Sequence, residues 1–243
     1  MSASNRTEGR ILKNIILSCF SLLIALVQTN PAKAEMVLDK VVVDMSKSHG
    51  QRQDIEVWNA GTDRMYVLSE LSEILDPGSP IETRIPASDP EISSLFISPQ
   101  KMILEEGERR IIRVVALGPR QEKDRVYRLM IKPVAGPVTA EATALKVFVG
   151  YDALVIFRPE KIVGKISASF IGNQLTLQNG TNTAQSLFYG RQCDDDRKEC
   201  VDLPTKRLYS GVTWAIDLPY RTNVTYRAQV GDKTSELTFA PSD

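Results

Sequence analysis

Few residues of this chain are of the types that carry out chemistry. Its single histidine, His49, stands beside Gly50 in the polar segment SKSHGQRQ, which is typical of a solvated turn between two strands. Nucleophilic catalysis by serine or cysteine needs a histidine held in a cleft, so this position argues against it. The sequence also lacks phosphate-binding glycine loops, dinucleotide fingerprints and zinc-ligand spacings. We therefore predict that the protein is not an enzyme and uses no cofactor.

Two cysteines, Cys193 and Cys200, enclose the polar stretch CDDDRKEC. We expect a structural disulfide that clamps a hairpin, because no histidine lies nearby to complete a metal site. Closing so short a loop contributes about 2 to 3 kcal/mol. The acidic run at residues 194–196 could offer carboxylates to calcium, but it lacks the glycine turn and distal glutamate of a calcium loop, so we expect no metal.

The first 34 residues have the pattern of an export signal. Three basic residues precede an apolar run of 13 residues at 15–27, and the sequence PAKA then ends at Ala34. So short a run does not span a bilayer, and we predict a signal peptide cleaved after Ala34. Export reaches a compartment where disulfides persist. Without this leader the chain has 26 basic and 29 acidic residues, so no positive field would attract nucleic acid.

Short β-rich runs separated by turn clusters fill residues 35–243. Seven runs precede Pro159, the number of strands in one immunoglobulin-like sandwich, and six shorter runs follow the segment RPEK. We predict an all-β protein with two immunoglobulin-like sandwich domains, at residues 35–159 and 160–243. The best helix candidate is SELSEILD at residues 69–76, and the proline-rich residues 76–90 are expected to be a loop.

One predicted strand is apolar on both faces. It is ALKVFVGYDALVIFRP, at residues 144–159. Such a strand is either buried on both faces or lies at a sheet edge whose outer side is kept for a partner chain. The alternation alone leaves both interpretations open.

Three segments in this order resemble the periplasmic chaperones of the chaperone/usher pilus pathway. They are FISPQKMILEEGERRIIRV at 96–114, DRVYRLMIKPV at 124–134 and VGYDALVIFRP at 149–159. The segment LTLQNGTN at 175–182 and the cysteine pair add to the similarity, which is greatest with the class 5, alpha-type fimbrial chaperones. The resemblance covers essentially the whole chain after residue 35.

This resemblance implies two immunoglobulin-like domains in a boomerang arrangement. It also implies a periplasmic protein that binds fimbrial subunits by donor-strand complementation and delivers them to an outer-membrane usher. The family's donated apolar positions correspond to Val149, Val147 and Leu145. On this register Phe148 points into the chain's own core, and Gly150 marks a bulge or a close backbone approach. The same strand could pair with a second copy when no subunit is bound.

The chain departs from the family at the site that holds the terminal carboxylate of the subunit. The family's basic pair falls on Val42 and Leu154, neither of which is basic. Lys40 is the substitute candidate. Arg158 is a weaker one, because the matching arginine of relatives makes contacts between the domains.

A function of another class also fits a sandwich of this kind. A secreted adhesive or carbohydrate-binding protein would expose aromatic side chains or calcium loops on one rim. Trp58 and Trp214 are the aromatic candidates for such a rim.

Overall fold

The computed structural model describes residues 35–136 and 148–241. This part of the chain consists mainly of strands, with a 3-10 helix at Lys47–His49 and a short helix α1 at Pro90–Ser93. None of its helices has the length and apolar character needed to cross a membrane. The predicted signal peptide lies outside the described residues.

Ten of the described strands form a first sandwich of two sheets. These strands are β1 (Met36–Leu38), β2 (Val42–Met45), β3 (Arg52–Asn59), β4 (Met65–Leu75), β5 (Thr83–Pro86), β6 (Leu95–Ser98), β7 (Lys101–Leu104), β8 (Arg109–Ala116), β9 (Arg125–Val134) and β10 (Tyr151–Phe157). One sheet has the order β1-β3-β8-β6, and the other has the order β2-β10-β9-β4-β5, with β7 also paired to β4. Alternate residues of both sheets, such as Ile55, Ile112 and Leu129, fill the space between them.

Eight further strands form a second sandwich. These strands are β11 (Ile166–Ile171), β12 (Gln174–Asn179), β13 (Gln185–Cys193), β14 (Cys200–Leu203), β15 (Lys206–Leu208), β16 (Thr213–Asp217), β17 (Val224–Val230) and β18 (Lys233–Phe239). A sheet β11-β12-β16 packs against a sheet β14-β13-β17-β18, in which β15 also pairs with β13. Cys193 and Cys200 are direct partners of β13 and β14 and form the predicted disulfide. The predicted fold class, two immunoglobulin-like sandwiches, is confirmed.

Strand β10 is buried on both faces along most of its length. Its odd-numbered residues 153, 155 and 157 pack into the first core. Leu154 and Ile156 face the other way and cluster with Ala184 and Tyr209 of the second sandwich. The apolar residues on both faces of this half of the predicted strand are therefore explained by burial between the sandwiches.

Two local predictions are wrong. The helix candidate at residues 69–76 lies in β4 as far as Leu75, and alternate side chains of this strand from Met65 to Glu73 are buried. Pairing with β9 along this segment outweighs its weak helix propensity. The expected loop at residues 76–90 contains β5, which pairs with the end of β4.

Candidate functional site

The edge of the larger sheet beside β10 is only partly closed. Strand β2 pairs in parallel with residues 154–157 of β10, while β9 pairs with all of β10 on its other side. Within the described ranges, no strand pairs with residues 151–153 on the β2 side. This half of β10 is therefore an open strand edge of the kind to which a partner strand can be added.

An apolar side chain stands just beyond this open edge. Val149 is 65% exposed. In the sequence it continues the alternation of Tyr151, Ala153 and Val155, whose side chains pack in or against the first core. Val149 thus extends the apolar stripe of the core past the first residue of β10.

The predicted orientation of Phe148 is wrong, because its side chain is 38% exposed. Residues 148–150 precede the first residue of β10 and belong to no strand. The predicted close backbone approach at Gly150 is confirmed. A Cβ atom there would lie 3.1 Å from the carbonyl oxygen of Ile131 and 3.0 Å from the Cβ of Lys132. The other two predicted donor positions, Leu145 and Val147, lie outside the described residues.

Lys40, the first candidate for the carboxylate anchor, lies between β1 and β2. Its Nζ is 3.3 Å from Asp39 Oδ2, and both side chains are more than a third exposed. Lys40 immediately precedes Val41, whose carbonyl accepts a hydrogen bond from the backbone N–H of Leu154. The ammonium group of Lys40 is therefore accessible beside the closed end of the β10 edge.

Arg158, the second candidate, is held between the two sandwiches. Its Nε donates to Asp44 Oδ2 at 2.6 Å, and its Nη1 donates to Thr183 Oγ1 and to the carbonyl of Ala184. Only 6% of its side chain is exposed. This guanidinium ties β10 and β2 to the loop before β13.

A second carboxylate supports the same junction. Asp124 accepts hydrogen bonds from the backbone N–H of Ala184 and from Thr183 Oγ1. Burial raises the pKa of Asp124, although these hydrogen bonds and Arg158 act in the opposite direction. Asn182 donates from its Nδ2 to the carbonyls of Glu122 and Lys161. Residues 182–184 of the second sandwich thus contact the first sandwich at this junction.

His49 lies in a turn between β2 and β3, as predicted, but the expected solvation of its side chain is wrong, because His49 also joins the two sandwiches. Its Nε2 is 2.6 Å from Oδ2 of Asp232, in the turn between β17 and β18. Its Nδ1 is 2.9 Å from Ser46 Oγ, which also contacts Ser48 Oγ. The 3-10 helix that carries His49 faces the second sandwich, a contact that the local sequence does not reveal.

The two tryptophans do not form an exposed rim. Trp58 is half-buried, with the guanidinium of Arg109 4.5 Å from its ring centroid. Trp214 packs against the second core, with its ring 6.0 Å from that of Tyr226. Within the described ranges, no group of three or more histidine, cysteine or acidic residues is placed to hold a metal ion.

Comparison with known sequences gives one relative among curated proteins, and no family model matches the chain. The relative is a probable fimbrial chaperone, EcpE, of Escherichia coli O127:H6 (strain E2348/69 / EPEC). It is 28% identical over 148 residues, which make up 56% of this chain and 57% of that protein. The chain therefore matches little more than half of the length of this relative.

Solved structures share the fold over most of the chain. The class 5 fimbriae chaperone CfaA is 18% identical, with a TM-score of 0.64 over 86% of this chain and 99% of its own. A chain from the complex of the Salmonella enterica SafA pilin with the SafB chaperone is 17% identical, with a TM-score of 0.60 over 86% and 97%. The protein thus has the fold of the fimbrial chaperones and is similar in sequence to one of them.

Proposed function

We propose that this chain is a periplasmic chaperone that binds fimbrial subunits by donor-strand complementation and passes them to an outer-membrane usher. In this proposal the signal peptide is cleaved after Ala34, and the domains comprise residues 35–159 and 160–243. The observation that carries the proposal is the open edge of β10 next to the exposed side chain of Val149. A subunit that lacks its last strand would add its own sheet to this edge.

The donated side chains are Val149, Val147 and Leu145. Burying each of them in a groove of the subunit contributes about 1.5 to 3 kcal/mol. Ladder hydrogen bonds add about 0.5 to 1.5 kcal/mol apiece, against an association cost of about 4 to 15 kcal/mol. The sum gives a complex that is tight, yet exchangeable when a better-fitting strand of the next subunit arrives at the usher.

The open edge of β10 ends at a defined residue. Strand β2 occupies the side of β10 from Leu154 onward, so an added strand must end or turn away at that point. Lys40 precedes β2 there and is the basic side chain that we propose for the subunit's carboxylate. Arg158 is committed to Asp44 and to the second sandwich, and we propose that it acts on subunit binding only by fixing the junction.

Coexpression with fimbrial subunits tests the proposal. A subunit expressed alone in the periplasm should be degraded, because its exposed groove makes it unstable. With this chain present, the subunit should accumulate and copurify with it in a one-to-one complex. Equal subunit levels with and without the chain, and no copurified subunit, would contradict the proposal.

A further inference from the structure

An exposed tyrosine stands on the outer face of the five-stranded sheet in the second sandwich. Tyr189 is 73% exposed and has a φ of 48°, in the left-handed region. The pairing of β13 with β17 shifts between Phe188 and Arg191, which marks a bulge. Gly190 fits closely against the core, since a Cβ there would lie 2.3 Å from the ring of Tyr226. Packing of Gly190 therefore fixes the bulge and holds the ring of Tyr189 outward, in a conformation that costs free energy.

Four charged side chains share a concavity of about 670 Å³ with this ring: Arg191, Asp202, Arg227 and Glu236. Arg191 is the direct ladder partner of Asp202, and Arg227 is that of Glu236. In the described part of the chain, neither the Arg191–Asp202 pair nor the Arg227–Glu236 pair forms an ion pair. An ion pair requires a side-chain nitrogen and a carboxylate oxygen within 4.0 Å of each other. The guanidinium of Arg227 instead lies 5.4 Å from the centroid of the Tyr189 ring.

A comparable couple in the first sandwich does close. Asp54 and Arg113 are direct ladder partners of β3 and β8, and their side chains meet with Nε 2.7 Å from Oδ1. The two open couples around Tyr189 thus keep donors and acceptors directed at solvent around an exposed ring. These groups are therefore available to bind a ligand, because the face is not closed by its own ion pairs.

The charges and hydrogen-bonding groups around Tyr189 indicate which class of ligand the concavity binds. Two positive and two negative charges give the concavity no net charge that would attract an ionic partner. Covering four charges with an apolar protein surface is costly, and charged residues are depleted from the cores of protein interfaces. A hydroxyl group both donates and accepts, so it can bind a carboxylate or a guanidinium. An aromatic face packs against the C–H groups of a sugar ring.

We propose that this concavity binds a neutral oligosaccharide. One sugar ring stacks on Tyr189, and its hydroxyl groups bind the two arginines and the two carboxylates around it. The site lies in the second sandwich and does not involve the edge of β10, so it does not rest on the proposed chaperone function.

The test is an NMR titration of the protein purified from the periplasm. Cellotetraose and chitotetraose, neutral tetramers of glucose and of N-acetylglucosamine, are each added to about 10 mM, because weak sites of this kind bind in the millimolar range. At least one of them should cause saturable shifts of backbone amide signals centred on residues 189–191 and 225–227.

Variants of the ring separate binding from folding. Glycine adopts a positive φ without steric cost, so Tyr189→Gly should keep the fold and weaken binding by at least about tenfold. Tyr189→Phe should bind within about threefold of the wild type, because it keeps the ring. Tyr220→Ala, on the same sandwich outside the concavity, is the matched control and should bind normally.

Absence of saturable shifts with both sugars would overturn the proposal, as would binding that Tyr189→Gly leaves unchanged. Loss of fimbrial-subunit copurification in Tyr189→Gly, with no sugar binding by the wild type, would assign this surface to a protein partner and also overturn it. Normal subunit copurification by Tyr189→Gly is expected, so failure of the sugar site leaves the chaperone proposal untouched.

Discussion

Val42 lies directly opposite Leu154 in the parallel pairing of β2 with β10. Two apolar side chains therefore meet where the resemblance to fimbrial chaperones leads one to expect two basic ones. On the other side of Leu154 stands Arg128, whose Nε is 3.8 Å from Asp152 Oδ2. Any charge that holds a subunit's carboxylate must thus come from outside the Val42–Leu154 couple.

Lys40→Ala should weaken subunit binding only modestly. The ammonium group is exposed and already pairs with Asp39, and exposed ion pairs contribute little. We expect the dissociation constant for the subunit to rise by no more than about fivefold, and Lys40→Arg to restore it. Complete loss of copurifying subunit in Lys40→Ala would show that this lysine carries far more of the binding free energy than an exposed pair.

Arg158→Ala should destabilise the protein itself. Removing this buried guanidinium leaves Asp44 without its cationic partner, and such a loss costs about 3 to 5 kcal/mol. Urea unfolding should show this decrease in the free energy of unfolding. Arg64→Ala, which removes an exposed partner of Glu105, is the control and should leave the unfolding curve unchanged. Equal effects of the two substitutions would contradict the structural role of Arg158.

Substitution of two buried serines by alanine should change the free energy of unfolding in opposite directions. Ser69 and Ser93 are each 2% exposed. Among the described residues, the Oγ of Ser69 has no hydrogen-bond partner, whereas that of Ser93 donates to the carbonyl of Leu95 at 2.8 Å. Ser69→Ala should therefore raise the free energy of unfolding by about 1 kcal/mol, and Ser93→Ala should lower it by about 1 kcal/mol. Changes of the same sign in urea unfolding would contradict this assignment.

The sequence pattern was sufficient for the all-β class, the two sandwiches and the disulfide. Alternating apolar residues and turn clusters determine strands locally, and Cys193 and Cys200 lie close enough in sequence to meet in one hairpin. The pattern of β10 left two interpretations open, because burial by the second sandwich and exposure to a partner select the same apolar residues. The packing of Leu154 and Ile156 against the second sandwich and the pairing of β2 with residues 154–157 separate the buried half from the open half.

Long-range contacts account for the errors. His49 has polar neighbours in sequence, and its contact with Asp232 depends on how the two sandwiches meet. The helix candidate at residues 69–76 is overridden by pairing with β9. Tyr189 was not predicted as exposed, because its orientation depends on a bulge. The one local signal for that bulge is Gly190 within a strand pattern.

The most direct measurement compares two pairs of aspartate substitutions in the subunit copurification assay. Val147→Asp with Val149→Asp places charges on the predicted donor positions. Ile162→Asp with Val163→Asp is the control and places two charges in the segment between the sandwiches. Ile162 and Val163 are 52% and 60% exposed, which is close to the 65% of Val149. Both proteins should fold, as judged by circular dichroism, because the described positions are exposed.

A carboxylate forced into an apolar groove costs several kcal/mol, so the Val147/Val149 variant should recover no subunit from the periplasm. The Ile162/Val163 variant should recover as much as the wild type. A normal subunit yield from the Val147/Val149 variant would mean that the subunit is held elsewhere, and the donor-strand account would be wrong.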